Sequence, residues 1–88
     1  MQMNRKMPIT EIVKGKPGKN LVQAGITTIA DFERALKKHG VVMDVGNHMF
    51  KFGWADQAGP QLGYLTWLKV LTACEQVGVR WSKYIRTV

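Results

Sequence analysis

Acidic side chains are in short supply. Six Asp and Glu stand against thirteen Lys and Arg, giving a net charge of +7 over 88 residues. Such a chain is drawn to polyanions or acidic surfaces and repelled by basic ones. Cysteine is nearly absent as well. The single Cys74 cannot close an internal disulfide, which excludes a disulfide-stapled scaffold and fits a reducing compartment, so a cytoplasmic location is expected. With His39 and His48 it offers at most three zinc ligands, and none of these has a partner at the close spacing of zinc sites. Neither a metal nor a cofactor is expected. No stretch approaches the roughly 18 apolar residues of a membrane span. Arg5 and Lys6 are not followed by the apolar run of a signal peptide, so no membrane association is expected. No internal repeat and no catalytic signature is present.

What is there suits one α+β domain spanning residues 1–88, with 45% hydrophobic residues to build a core. The longest apolar-periodic stretch is Pro60 to Val77, read as a central helix of about 27 Å at 1.5 Å per residue. Gly63, Tyr64, Trp67, Val70, Leu71, Cys74 and Val77 share one side. Thr66, Lys69, Thr72, Ala73 and Gln76 lie opposite. Pro60 suits the first turn and Gly78 the position just past the end. Leu62 and Leu65 fall on the otherwise polar side, so the start of this helix is expected to touch a second surface.

Upstream, residues 1–8 lack periodicity and are read as a flexible basic arm. Ile9–Val13 forms a helical turn with Ile9, Ile12 and Val13 inward. Gly15-Lys16-Pro17-Gly18-Lys19 is a loop by composition, and Asn20–Ala24 a second short turn. Thr28-x-x-Asp31 starts a helix to about residue 39 in capping-box fashion. Its inward stripe is Ile29, Phe32, Ala35, Leu36 and His39, and Glu33 precedes Lys37 at the favourable spacing of four. Val41 to Trp54 reads as a hairpin closed by a two-residue type II′ turn at Gly46-Asn47. That register sets Val41 against Phe52, Met43 against Phe50 and Val45 against His48 on one face, with Asp44 and Lys51 attracting each other on the other. Residues 55–59 are a loop. The segment 79–88 is a short strand, which would add a third strand to the hairpin, or a helix. Both readings send Trp81 and Ile85 inward and Arg80 and Arg86 outward.

Charge is placed unevenly. Residues 1–19 carry +4, residues 20–77 carry none net, and residues 78–88 carry +3. Lys14, Lys16 and Lys19 ride on the glycine- and proline-rich loop. Arg80, Lys83 and Arg86 alternate with Trp81 and Tyr84, a composition suited to phosphate contact and base stacking. These residues, with Tyr84, are the candidate binding set. The leading expectation is a small non-enzymatic nucleic-acid-binding or regulatory protein, for DNA or RNA. Its rival is a phage- or plasmid-type inhibitor or adaptor that docks on an acidic protein, because the same charges serve both partners. Nothing in the sequence sets an oligomeric state.

Two local resemblances add to this. The stretch ALKKHGVVMDVGNHMFKF resembles the HicA family of small RNA-cleaving toxins, in which a helix leads through glycine into strands and a Gly-Ser-His stretch holds the catalytic histidine. Gly46-Asn47-His48 stands in that place, which implies His48 as a general base. Reading residues 60–77 as one helix leaves no third strand before it, unlike that family. LVQAGITTIADFERA resembles the second half of a helix-hairpin-helix module, in which a glycine-rich hairpin presents backbone N–H groups to phosphates.

Overall fold

The computed structural model describes residues 4–54 and 60–87, so the expected loop at 55–59 lies outside the described residues. The Thr28 hydroxyl accepts a hydrogen bond from the Asp31 amide at 3.2 Å, and the Asp31 carboxylate accepts from the Thr28 amide at 3.2 Å. This reciprocal cap starts helix α2 (Ile29–His39) where the sequence places it. Ile29, Phe32, Ala35 and Leu36 are buried along one stripe, and Lys37 meets Glu33 at 3.2 Å.

Gly40 turns the chain into strand β1 (Val41–Asp44), which pairs antiparallel with β2 (Met49–Phe52). Val41 faces Phe52 and Met43 faces Phe50, the expected register. The turn differs. It spans four residues, with the His48 amide donating to the Val45 carbonyl, and the left-handed residue is His48 at φ 52°. A type II′ turn needs that conformation at Gly46 instead. Asp44 decides the matter by accepting from the Asn47 side chain at 2.8 Å and the Asn47 amide at 3.3 Å. Those bonds, helped by Lys51, hold its carboxyl below the usual range. Val45 and His48 consequently stand exposed and do not continue the core face.

Two more strands complete a mixed sheet of order β3-β2-β1-β4. Strand β3 (Gln61–Gly63) lies antiparallel to β2 and sets Leu62 against Phe50. Helix α3 (Tyr64–Gln76) therefore begins four residues after Pro60, a correction to the expected central helix. The physical reason is Leu62. On a helix it points away from the core, whereas on a strand beside Phe50 it is 1% exposed. Trp67, Val70, Leu71 and Cys74 are buried as expected. Ala73 joins them, and Tyr64 is 45% exposed. The C-terminal segment is a 3₁₀ turn at Ser82–Tyr84 followed by β4 (Ile85–Thr87), which lies parallel to β1.

From residue 4 onward the N-terminal segment makes more backbone hydrogen bonds to the rest of the fold than its composition suggests. Residues 4–8 run along the start of α2: Ala30 N–H donates to Arg5 O, Ile29 N–H to Met7 O, and Met7 is buried. Residues 4–8 of the expected arm are thus docked on α2, and residues 1–3 lie outside the described residues. After a 3₁₀ turn at Ile9–Glu11, the expected loop and second turn merge into helix α1 (Gly15–Gln23). Pro17 is tolerated because it falls in the first turn, where its missing N–H is no loss. Gly18 is required by contact: a Cβ there would lie 2.2 Å from the Val13 carbonyl oxygen.

The core closes on Trp67, whose ring lies 5.1 Å from Phe32, 5.1 Å from Phe50 and 5.3 Å from Phe52. Its indole N–H is buried, with no hydrogen-bond partner among the described residues. Among the described residues no helix is long and apolar enough to cross a membrane.

Truncating Trp67 to Ala is expected to lower unfolding free energy by about 3–5 kcal/mol in urea titration. Trp67→Phe is expected to cost less than half as much, because it keeps a ring and removes the unpartnered donor. Cys74 yields a second expectation. Burial, aided by Glu33 and Glu75, pushes its thiol from 9.0 up to about 12. The folded state thus favours the protonated thiol. That contribution is complete below pH about 9 and lost as pH rises toward 12. An aromatic disulfide reagent at pH 8 should label the native protein far more slowly than the urea-unfolded chain.

Candidate functional site

The end of α3 builds the site. Gly78 adopts φ 84° and donates to the Glu75 carbonyl, while Val79 donates to the Cys74 carbonyl at 2.9 Å. This is a Schellman arrangement, and it reverses the chain as soon as the helix stops. Val79 is drawn into the core at 4% exposure, so Arg80 is turned out to solvent. Trp81 is then held half-buried by its indole N–H donating to Glu75 Oε1 at 2.9 Å. The 3₁₀ turn follows, with Lys83 outside and Tyr84 half-buried, and Ile85 enters the sheet.

This returning segment lies against α2 and leaves a groove of about 210 Å³, lined by Glu33, Lys37, Gly78, Arg80, Lys83 and Tyr84. Arg5 reaches the same place. Its Nε donates to Glu33 Oε2 at 3.0 Å, and its guanidinium comes within 3.9 Å of where a Cβ on Gly78 would stand. Glu33, with a side chain only 16% exposed, is thus shared by Arg5 and Lys37. Arg80 and Lys83 add two further cations. The Lys83 ammonium stands 5.3 Å from the Tyr84 ring centroid. A second bay of about 320 Å³ adjoins the groove, sharing Gly78, Val79 and Arg80 and lined also by Glu75, Trp81 and Ser82.

The sequence-derived candidates divide into three places. Arg80, Lys83 and Tyr84 come together in the groove. Arg86 does not join them: it pairs with Val42 across the β1–β4 register, as Lys51 does across β1–β2. Arg86 and Lys51 therefore flank Val42 on the sheet face turned away from the core. Lys14, Lys16 and Lys19 are exposed around α1, with Lys14 3.8 Å from Glu11. Among the described residues no hydrogen bond or ion pair links them to the groove. Because Lys16 and Lys19 belong to a helix that Lys14 precedes, and Gly18 packs on Val13, the open phosphate-cradling loop expected there does not form.

Arg5 and Lys37 are the groove residues that sequence reasoning missed. The Glu33–Lys37 spacing was the one available signal, and it read as an ordinary surface pair. His39 stacks on Trp54 at 3.9 Å and 15°. His48 stands exposed at the hairpin tip, and no residue among those described hydrogen-bonds its ring. The third strand that the toxin resemblance lacked is present as β3, ahead of α3. Among the described residues no group of three His, Cys, Asp or Glu could hold a metal ion. No family model matches this chain, and no curated protein or solved structure matches it.

Replacing Glu33 with Gln should leave the groove cations unbalanced. We expect a stability loss of about 1 kcal/mol or less at low salt, shrinking in about 0.5 M salt as screening weakens the repulsion. Urea titrations at the two salt concentrations measure it. A loss independent of salt would mean that Glu33 matters through packing.

Proposed function

We propose that this chain is a small non-enzymatic nucleic-acid-binding protein that holds phosphates in the groove between α2 and residues 78–84. One observation carries the reading. Lys37, Arg80 and Lys83 line one concave surface with a single carboxylate, Glu33, and with Tyr84, and Arg5 joins them through its ion pair with Glu33. Cations at the walls of a cleft raise the local potential above what the same charges give on a flat surface. Like charges so gathered destabilise a fold unless something offsets them, and phosphate is the anion that a mixed Arg and Lys set suits best. Tyr84 supplies the second element of such a surface. A cation over a partly exposed ring contributes about 0.5–1 kcal/mol, whereas a base stacked on an aromatic ring contributes about 1–3 kcal/mol. A base therefore displaces Lys83 from the Tyr84 ring and frees its ammonium for a phosphate.

A second reading draws on a different surface. Tyr64, Leu65 and Leu68 are 45%, 74% and 39% exposed on the first turns of α3. Leu65 in particular buries almost nothing within the chain. This favours a protein-docking module, such as an inhibitor or adaptor on an acidic partner, and it is the alternative if nucleic acid does not bind.

Gel shifts with mixed DNA and RNA between 50 and 200 mM salt test the proposal. Four phosphate contacts predict that log K falls with log salt at a slope of about −3 to −4. Reversing charge at Arg80 and Lys83 should weaken binding about tenfold or more, since each contact to a charged group is worth roughly 1.5–3 kcal/mol. Reversal at Lys16 and Lys19 should weaken it far less. No complex at 50 mM salt would overturn the proposal and favour the docking module.

A further inference from the structure

Resting on the nucleic-acid reading, we infer that the groove and its neighbouring bay form a reader of two unstacked bases, so that the ligand is single-stranded and not duplex. The two concavities share the Gly78–Arg80 segment, and exposed Arg80 lines both. Each contains one aromatic side chain, Tyr84 in the groove and Trp81 in the bay. Each also contains one carboxylate, Glu33 in the groove and Glu75 in the bay.

The carboxylates separate base from phosphate. A site built only for phosphate gains nothing from an acid in its wall, because the acid repels the ligand. Facing a base, the same acid accepts a hydrogen bond from an amino group, as Glu and Asp do from cytosine N4. Glu75 is fixed for that task by the Trp81 indole, which occupies Oε1 and leaves Oε2 available. Glu33 is fixed by Arg5 on one oxygen and Lys37 on the other. Ring and carboxylate therefore recur, with Arg80 lining both concavities to hold the linking phosphate, but among the described residues only Glu75 keeps an oxygen free to accept from a base.

A duplex cannot use this arrangement. Its bases are stacked inside, and it offers the surface only a row of phosphates, which the two carboxylates oppose. A single strand can lay one base in each bay and keep its backbone at Arg80, Lys37 and Lys83. Stacking on aromatic rings tolerates any base. Glu75, through its free Oε2, biases the choice toward bases that carry an amino group, cytosine over thymine.

Fluorescence anisotropy at 50 mM salt tests this with labelled eight-nucleotide single strands of DNA and of RNA, and with a DNA duplex of mixed sequence. The single strands should bind at least tenfold more tightly than the duplex, and oligo-dC at least threefold more tightly than oligo-dT. Tyr84→Leu should weaken single-strand binding fivefold or more, and Tyr84→Phe should restore it. Quenching of tryptophan fluorescence by unlabelled oligo-dC gives a readout on the unmodified protein. Equal or tighter duplex binding would overturn the two-base reader while leaving the nucleic-acid reading intact. No preference for cytosine would overturn the role of Glu75. Binding of neither form would overturn the nucleic-acid reading itself.

Discussion

The indole of Trp67 is the contact on which the rest of the structure depends. It touches Phe32 from α2 and both Phe50 and Phe52 from β2, so burying one side chain fixes the positions of α2, the sheet and α3 together. Edge and tilted ring contacts of this kind add about 0.5–1.5 kcal/mol each to the area they bury. Their larger effect is geometric. Once α3 lies across the rings, the point where it ends is fixed, and so is the place where Gly78 turns the chain back. The basic segment that follows has only one course open to it, over α2 and into the edge of the sheet as β4.

The groove is a consequence of that course. Val79 and Ile85 are the two apolar anchors of the returning segment. Between them the chain has room only for a 3₁₀ turn, which puts Arg80 and Lys83 on the α2 side. Glu33 on α2 then becomes the counter-charge for a set of cations that come from three separate parts of the chain. Its half-hidden carboxylate holds Arg5 and Lys37 in place, and among the described residues the outer cations Arg80 and Lys83 have no carboxylate partner of their own. A fold selected for stability alone has no use for that imbalance. We read it as the mark of an anionic ligand.

Local signals in the sequence carried much of this. The Thr28–Asp31 cap, the alternation through Val41–Phe52 and the apolar stripe of Trp67, Val70, Leu71 and Cys74 were legible because each follows from neighbouring residues. Three features were not. Leu62 reads as helical because the 3.6-residue period continues through it, and only the unpaired edge of β2 makes the strand preferable. The Gly15–Lys19 run looks like a loop by composition, yet Gly18 is there to let α1 approach Val13 and Pro17 is harmless in a first turn. Arg5 was placed in a loose arm because its partner Glu33 lies 28 positions away. The candidate site inherits the same division. Arg80, Lys83 and Tyr84 are close in sequence and were found, Arg86 was grouped with them until the strand register sent it to the other face, and the contributions of Arg5 and Lys37 are tertiary.

The central claim is that the groove, and not the lysines around α1, meets the nucleic acid. Chemical-shift mapping of the ¹⁵N-labelled protein during titration with an eight-nucleotide single strand tests it most directly. The account predicts that the largest changes fall at residues 33, 37 and 78–84 and at the Trp81 indole N–H, with little change at Lys14, Lys16 and Lys19. Changes centred on α1, or on Tyr64, Leu65 and Leu68, with the groove unaffected, would contradict it.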